Sequence, residues 1–166
     1  MVKPYYRTES YGCRNSLGYL IRRVSNLMVP ASDALFADES LTFTQWITLM
    51  SLRDGLAGTI SELARHLNHD PGATTRLVDE LERRGLLTRT RSRTDRRVVE
   101  LALTSEGRAT ARAMAPRVVA FWNAVLKDFS HAEIDRLLAL LGAVAKKLES
   151  KEVGLEKSAP RVRVAS

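Results

Sequence analysis

The sequence is poor in the residues that build disulfides and membrane spans. It contains one cysteine among 166 residues, which excludes an intrachain disulfide. No stretch approaches the roughly 20 predominantly apolar residues that a membrane-spanning helix requires. The N-terminal region also lacks an apolar segment of signal-peptide length. We therefore expect a cytoplasmic protein that has no membrane partner.

Acidic residues are also scarce relative to basic ones. The chain has 26 Lys and Arg against 19 Asp and Glu, a net charge of +7, and such a balance favours a polyanionic partner. The excess is concentrated in residues 76–97, where eight arginines accompany four acids. With 45% hydrophobic and 27% charged residues, the chain is suited to one globular domain with a core.

The side chains that could carry chemistry are not arranged as a catalytic or metal site. His66 and His69 fall at a turn between two helical patterns, and His131 falls at a helix cap, so no metal-ligand spacing results. The sequence contains no phosphate-cradling glycine loop and no nucleophile elbow. We therefore expect no enzyme, no metal site and no cofactor.

Apolar residues recur with helical spacing towards both ends of the chain. The first stripe follows Ser16 and is interrupted at Pro30, which predicts a kink or an end to that helix. A long helix that contains Pro116 is predicted after residue 104, and a last helix is predicted after Ser130. These stripes are too wide for isolated surface helices. They favour a two-fold dimer interface; the alternative is that the helices pack only on one another.

The middle of the chain has the pattern of two short helices joined by a tight turn. A Thr-x-x-Glu capping box begins at Thr59. Asp70 and Pro71 have the N-cap and N1 chemistry of the second helix. Two basic strands follow at about residues 86–91 and 97–103. The sequence therefore predicts a helix-turn-helix followed by an arginine-rich wing, with the dimensions of a DNA major-groove reader.

Three motifs in this region carry a family resemblance. They are Ser61-Glu-Leu-Ala, then Thr75-Arg76-x-x-Asp79-x-Leu81-Glu82-x-x-Gly85-Leu86, then Asp95-x-Arg97 with Leu103-Thr104 behind it. In this order they resemble the MarR (multiple antibiotic resistance regulator) family of bacterial transcription factors, over about residues 16–150. The resemblance implies a mainly α fold with a small β-hairpin wing, in which a winged helix-turn-helix is flanked by long N- and C-terminal dimerisation helices.

The resemblance also implies a function and a division of the chain. The implied protein is a homodimer that binds a pseudo-palindromic promoter site, usually as a repressor. It leaves the DNA when a small aromatic or phenolic ligand binds, or when a cysteine is oxidised. The chain would then consist of an arm (1–15), a dimerisation region (16–40 and 105–151), a DNA-binding domain (41–104) and a basic flexible tail (152–166).

DNA contacts are implied at the start of the second short helix and in the wing. Arg97 corresponds to a wing arginine that enters the minor groove, and Asp95 to an acid that orients it. The other wing arginines contact phosphates or raise the local potential. Two alternatives stay open, namely Asp95 as an ordinary turn residue and Arg76 in an ion pair with Asp79 or Glu80. The predicted DNA-binding residues are Ala73, Thr74, Thr75, Arg76, Arg84, Arg89, Arg91, Arg93, Asp95, Arg96 and Arg97.

An effector is implied between the dimerisation helices and the winged domain. Aromatic and polarizable side chains are the candidates there, with Arg22 or Arg23 to meet a carboxylate or phenolate. At helical spacing the aromatic residues would equally serve as plain core. The predicted effector-binding residues are Tyr19, Arg22, Phe43, Trp46, Met50 and Trp122.

Cys13 is a second candidate sensor, because some relatives detect peroxides with a cysteine near the start of the first helix. Its neighbour Arg14 supplies a cation, which favours the reactive thiolate. An incidental surface cysteine is the alternative. A third interpretation is an architectural DNA-binding protein without an effector, which would bind DNA with strong salt dependence and no sequence preference.

Overall fold

The computed structural model describes residues 4–38, 41–92 and 98–150. The helices are α1 (Leu17–Phe36), α2 (Phe43–Arg53), α3 (Ile60–Leu67), α4 (Pro71–Arg83), α5 (Ser105–Leu126) and α6 (His131–Glu149), and the strands are β1 (Leu87–Arg91) and β2 (Val99–Leu103). The predicted mainly α fold with a small β-hairpin is therefore confirmed. The chain forms two compact units, Met1–Val119 and Ala120–Ser166, and α5 runs across the boundary.

Reciprocal caps fix the first residues of α2 and α6. Thr42 Oγ1 accepts a hydrogen bond from Gln45 N at 3.2 Å, and the Gln45 side chain accepts one from Thr42 N at 3.0 Å. Ser130 and Glu133 form the same arrangement at the start of α6, as the sequence predicts. Each capping box satisfies two backbone donors that a helix start leaves free. The hydrogen bonds from Ser130 also hold the pKa of the Glu133 carboxyl below its usual value.

The start of α3 differs from the predicted capping box. Thr59 Oγ1 accepts from Glu62 N at 3.2 Å as expected, but the Glu62 carboxylate accepts from Gly58 N at 2.8 Å. The glutamate thus reaches one residue further back than in the predicted box, and Thr59 itself forms a β-bridge with Glu100 of the hairpin. The bond from Gly58 lowers the pKa of the Glu62 carboxyl.

Two helices continue through a proline. Pro30 lies inside α1 and Pro116 lies inside α5, so of the two alternatives for Pro30, a kink or an end to the helix, the end is wrong. A proline within a helix removes one backbone hydrogen bond. The carbonyl that loses this bond in α1 belongs to the exposed residue Asn26, where water can replace the missing donor.

The core of the first unit lies where α2, α3, α4 and β1 meet. Leu49, Leu63, Leu81 and Leu87 are fully buried there. Trp46 is also buried, and its Nε1 donates a hydrogen bond to the Ala111 carbonyl of α5 at 3.0 Å. A tryptophan that is packed and also hydrogen-bonded acts as a structural element of the core.

The hairpin is closed against both α3 and α5. Leu87 pairs with Leu103, and Arg91 with Val99. On β2, Leu101 is buried and its neighbours in sequence are exposed, as the predicted alternation requires. At the base, a Cβ on Gly107 would lie 1.8 Å from the Leu86 carbonyl oxygen. Only a glycine therefore permits the start of α5 to approach the hairpin this closely.

The N-terminal arm is ordered by tyrosines in front of α1. The Tyr6 hydroxyl accepts a hydrogen bond from Leu17 N at 2.9 Å, and the Tyr11 hydroxyl lies 2.7 Å from Ser16 Oγ. The rings of Tyr6 and Tyr11 meet edge to face with centroids 5.0 Å apart. The predicted arm thus caps the first helix, because it supplies an acceptor for a backbone donor at the helix start.

Each unit has a helix with an extensively exposed apolar face. In the first unit this face lies on α1, where Val24 is 58% exposed. In the second unit it lies on α6, where Leu138 is 62% exposed. Soluble monomers rarely expose contiguous apolar patches of this kind. Among the described residues no helix is long and apolar enough to cross a membrane. The large exposed apolar side chains of α1 and α6 are Leu17, Tyr19, Leu20, Ile21, Val24, Leu27, Val29, Leu137, Leu138, Leu140, Leu141 and Leu148.

Candidate nucleic-acid interface

The turn between α3 and α4 fixes where α4 begins. Asn68 adopts the left-handed conformation with φ of 51°, which short polar side chains tolerate. His69 N then donates to the Ala64 carbonyl at 2.9 Å, which closes the end of α3. Asp70 caps α4 by accepting from Ala73 N at 3.0 Å, and Pro71 occupies the first helical position. The predicted helix-turn-helix is present.

Burial divides α4 into an inner and an outer face. Thr74, Val78 and Leu81 are 0% exposed and lie on the inner face. The Thr74 hydroxyl donates to the Asp70 carbonyl at 3.0 Å. The prediction that the Thr74 side chain contacts DNA is therefore wrong, because this side chain is part of the core. The spacing of four residues between Thr74 and Val78 already indicated a shared face.

Thr75 and Arg76 lie on the outer face and are exposed. The Thr75 hydroxyl donates to the Pro71 carbonyl at 2.9 Å, so its remaining hydrogen-bonding capacity is that of an acceptor. A Cβ on Gly72 would lie 3.8 Å from an Arg76 guanidinium nitrogen, so this guanidinium extends along the first turn of α4. Ala73 is half-buried beside them.

The alternative that pairs Arg76 with Asp79 or Glu80 is not found in the described part of the chain. Glu80 is paired with Arg83 through two hydrogen bonds of 2.8 and 3.0 Å. Asp79 is paired with Arg89. Both acids thus have other partners, and the guanidinium of Arg76 keeps its donors for a ligand.

Arg89 joins the wing to α4. It projects from β1, donates to Asp79 and lies 3.5 Å from Glu82 through its Nε atom. Its side chain is 24% exposed. Asp79 and Glu82 are one helical turn apart, so a single guanidinium faces two carboxylates. This pairing favours a structural role for Arg89, and its predicted role at the DNA, a phosphate contact or a contribution to the local potential, stays a prediction.

The remaining arginines that were predicted to contact DNA differ in their exposure to solvent. Arg84 is half-buried, and its guanidinium lies 3.4 Å from the Gln45 side-chain oxygen. Arg91 is exposed at the end of β1. The predicted wing-tip contacts Arg93, Asp95, Arg96 and Arg97 lie outside the described residues.

The predicted effector residues do not converge on one site. Trp46 belongs to the core, and Phe43 and Met50 pack against that core. Tyr19 and Arg22 line a shallow groove along α1 together with Arg23. Trp122 belongs to the second unit, where its ring meets Phe121 at 5.4 Å. For Trp46 the alternative interpretation as a core residue fits the structure.

A cavity of about 480 Å³ lies elsewhere in the first unit. Of the predicted effector residues it contains only Phe43. From the sequence, His69 was interpreted as a turn residue or a phosphate contact, and neither histidine of the cavity was assigned to an effector. One feature of the sequence could have indicated this cavity, because positions 25, 28, 29, 32 and 33 of α1 share one helical face. The lining residues are Ser25, Met28, Val29, Ser32, Asp33, Thr42, Phe43, Thr44, Ile47, His66, Leu67 and His69.

Cys13 is exposed and lies in a short 3₁₀ turn, Cys13–Asn15, ahead of α1. Redox sensing by this thiol stays a prediction. Within residues 4–38, 41–92 and 98–150, no group of three or more His, Cys, Asp or Glu side chains is placed to hold a metal ion.

Comparison with known proteins agrees with this arrangement. The MarR family model matches residues 41–99, which span α2 to the start of β2. The chain is 38% identical over 69 residues to the HTH-type transcriptional repressor MdtR of Bacillus subtilis, covering 42% of this chain and 44% of MdtR. It is 31% identical over 130 residues to the HTH-type transcriptional repressor Rv2887 of Mycobacterium tuberculosis, covering 76% of this chain and 94% of Rv2887.

Solved structures show the same fold. The transcriptional repressor CouR bound to a 23-mer DNA duplex matches with a TM-score of 0.68 and 29% identity, over 80% of this chain and 94% of CouR. CouR from Rhodococcus jostii RHA1 bound to p-coumaroyl-CoA matches with a TM-score of 0.69 and 26% identity, over 82% and 96%. The chain has the winged helix-turn-helix and is 31% identical to Rv2887 over 94% of that protein. It therefore belongs to the MarR family of transcriptional regulators.

Proposed function

We propose that this regulator is a homodimeric repressor that binds a pseudo-palindromic promoter site and is released by a small molecule. The observation that carries the proposal is the outer face of α4. Thr75 and Arg76 are exposed on it, while Thr74, Val78 and Leu81 anchor the opposite face in the core. A rigid helix that presents exposed polar groups is what major-groove reading requires.

The available atoms of α4 suggest how bases would be read. Thr75 offers an acceptor, which suits the amino group of adenine or cytosine in the major groove. Arg76 offers a fork of donors, which suits guanine or a phosphate. The DNA-bound CouR structure supports the same use of this fold.

The exposed apolar faces of α1 and α6 support a dimer. Large side chains such as Val24 and Leu138 are more than half exposed, and covering them with a second copy would remove apolar surface from water. A dimer would also present two α4 helices to successive major grooves of one site.

Release by a ligand is supported by the structure of CouR bound to p-coumaroyl-CoA and by the cavity in the first unit. Peroxide sensing through the exposed Cys13 is the second candidate for regulation. An architectural role without an effector would require binding that is independent of DNA sequence.

A gel-shift titration on the DNA upstream of the gene tests the proposal. Arg76→Ala should weaken binding, by about 1–3 kcal/mol for one lost groove contact. Arg83→Ala is the matched control, because Arg83 leaves the same helix but is held by Glu80. Equal binding to the upstream DNA and to a scrambled sequence would contradict the proposal and favour the architectural role.

A further inference from the structure

The cavity of the first unit is lined by a carboxylate, and its described lining residues include no Lys or Arg. We propose that it is a regulatory site for a small aromatic compound with a neutral or cationic hydrogen-bond donor, and that it disfavours aromatic carboxylates. The inference rests on the proposed function only for its effect on DNA. The cavity volume of about 480 Å³ falls in the range of small-molecule sites, about 300–1,000 Å³.

One side of the cavity is suited to an aromatic ring. Met28, Val29, Phe43, Ile47 and Leu67 contribute apolar or polarizable surface from α1, α2 and α3. A thioether and a phenyl ring on opposite elements give favourable contacts to a planar ligand. Burial of such a ring would provide affinity without requiring a charge.

Among the described residues on the polar side of the cavity there is an acid, Asp33, and no Lys or Arg. Asp33 lines it from α1, and the other polar groups are hydroxyls and the imidazoles of His66 and His69. Among the described residues, Asp33 makes no ion pair or side-chain hydrogen bond. An unpaired carboxylate attracts a cation or a hydrogen-bond donor and repels another carboxylate.

The basic groups that were predicted to meet an anionic effector lie elsewhere. Arg22 and Arg23 line the separate groove on α1 and do not line this cavity. Along α1, residues 19, 22, 23, 26 and 27 line the groove, and residues 25, 28, 29, 32 and 33 line the cavity. Among the described lining residues the carboxylate is that of Asp33, which is exposed to solvent at the edge of the cavity.

The histidines connect the cavity to the reading helix. His66 and His69 lie on either side of the left-handed Asn68, and His69 is followed by Asp70, the N-cap of α4. A ligand wedged between α1 and these two imidazoles would press on the turn that sets the first residue of α4. A shift of this turn changes the position of Thr75 and Arg76, which gives a short physical route from ligand to DNA.

Three matched compounds test the proposal with the full-length protein and no DNA. Salicylate, salicylamide and 2-(aminomethyl)phenol share a phenol ring and carry an anionic, a neutral and a cationic substituent. By calorimetric titration we expect the amine to bind at least about tenfold more tightly than salicylate, the order expected for one charge pair near a protein surface. Salicylamide should lie between them.

Two variants locate the effect. Asp33→Asn should abolish the preference for the amine, since it removes the charge and keeps the side-chain size. Asp38→Asn is the matched control, because Asp38 is exposed near the end of α1 and does not line the cavity. Preference for salicylate, equal binding of the three compounds, binding of none of them, or an unchanged preference in Asp33→Asn overturns the proposal.

A gel-shift experiment with the same compounds separates this proposal from the function it rests on. Release of upstream DNA in the order amine, salicylamide, salicylate supports regulation through the cavity. Binding of the amine without any release overturns the regulatory part. Failure of the protein to bind DNA specifically, with the calorimetric order intact, contradicts the repressor function and leaves the ligand class standing.

Discussion

Arg89 of β1 forms an ion pair with Asp79 of α4. This pair joins the wing directly to α4, the helix that we propose contacts bases. A second carboxylate, that of Glu82, lies 3.5 Å from the same guanidinium. Because the wing is a two-stranded hairpin, such a pair restricts its angle relative to α4. We therefore regard Arg89 as a positioning residue for DNA binding.

This relationship predicts an unusual salt response. Asp79→Ala should weaken operator binding, although it removes a negative charge and so raises the attraction for phosphates. Arg89→Ala should weaken binding with little change in the slope of affinity against salt concentration, because Arg89 neutralises no phosphate. Each variant should lose about 1 kcal/mol or less of stability, as partly exposed ion pairs do.

The exposed Arg91 is the control for that experiment. Arg91→Ala should reduce the salt slope by about one unit if it contacts a phosphate. Fluorescence anisotropy at several salt concentrations measures both quantities. A lower salt slope in Arg89→Ala would show that Arg89 contacts the backbone after all.

Replacement by valine should have different effects at the two threonines of α4, on base preference at Thr75 and on stability at Thr74. Thr75→Val should alter the preference at one base pair by about 1–3 kcal/mol, with the fold intact, because it removes an exposed acceptor. Thr74→Val should leave base preference unchanged and lower stability by about 0.5–1.5 kcal/mol, since it removes a buried hydrogen bond. Binding to a set of single-base operator variants, with thermal unfolding in parallel, distinguishes the two effects.

The apolar faces predict the oligomeric state. Leu138→Glu on α6 and Val24→Glu on α1 should each shift the protein towards a monomer, because a charge would be buried in the proposed interface. Leu56→Glu is the matched control: Leu56 is as exposed as Val24, at 58%, but lies on the connection between α2 and α3. Sedimentation velocity measures the result, and a wild-type monomer at micromolar concentration would contradict the dimer.

Acid should weaken the cap of α3 through Glu62. Its pKa is lowered from the ordinary value of 4.5, chiefly by the hydrogen bond from Gly58. A lowered pKa in the folded state stabilises the protein above pH 4.5, and this contribution is lost as the pH falls through the folded-state value. The stability of Glu62→Gln should therefore fall less steeply than that of the wild type below about pH 4.5. Melting temperatures measured from pH 6 to pH 3 test this, and parallel curves would count against it.

Local patterns were sufficient to predict most of the fold. The caps at Asp70 and Ser130 and the alternation on β2 each depend on residues close in sequence, so spacing alone reveals them. At Pro30 the sequence left two alternatives, a kink or an end to the helix, because a missing hydrogen bond alone does not decide whether a helix continues.

The candidate site could be predicted from the sequence only in part. The partner of Arg89 could not be predicted, because the pair joins a helix and a strand and depends on the angle between them. The cavity could not be predicted either, since Asp33 and His69 are far apart in sequence and come to line the same cavity only in the folded chain.

The contact between Gly107 and Leu86 limits how a chimeric regulator can be built. Thr104 Oγ1 donates to the Gly85 carbonyl and accepts from Gly107 N, at 2.7 and 2.9 Å, so the hairpin base and the first turn of α5 interlock. A graft of the DNA-reading segment into another protein has to extend past residue 111, because the Ala111 carbonyl accepts the hydrogen bond from Trp46. A joint at the last residue of β2 would, in addition, separate a glycine from the carbonyl that requires it.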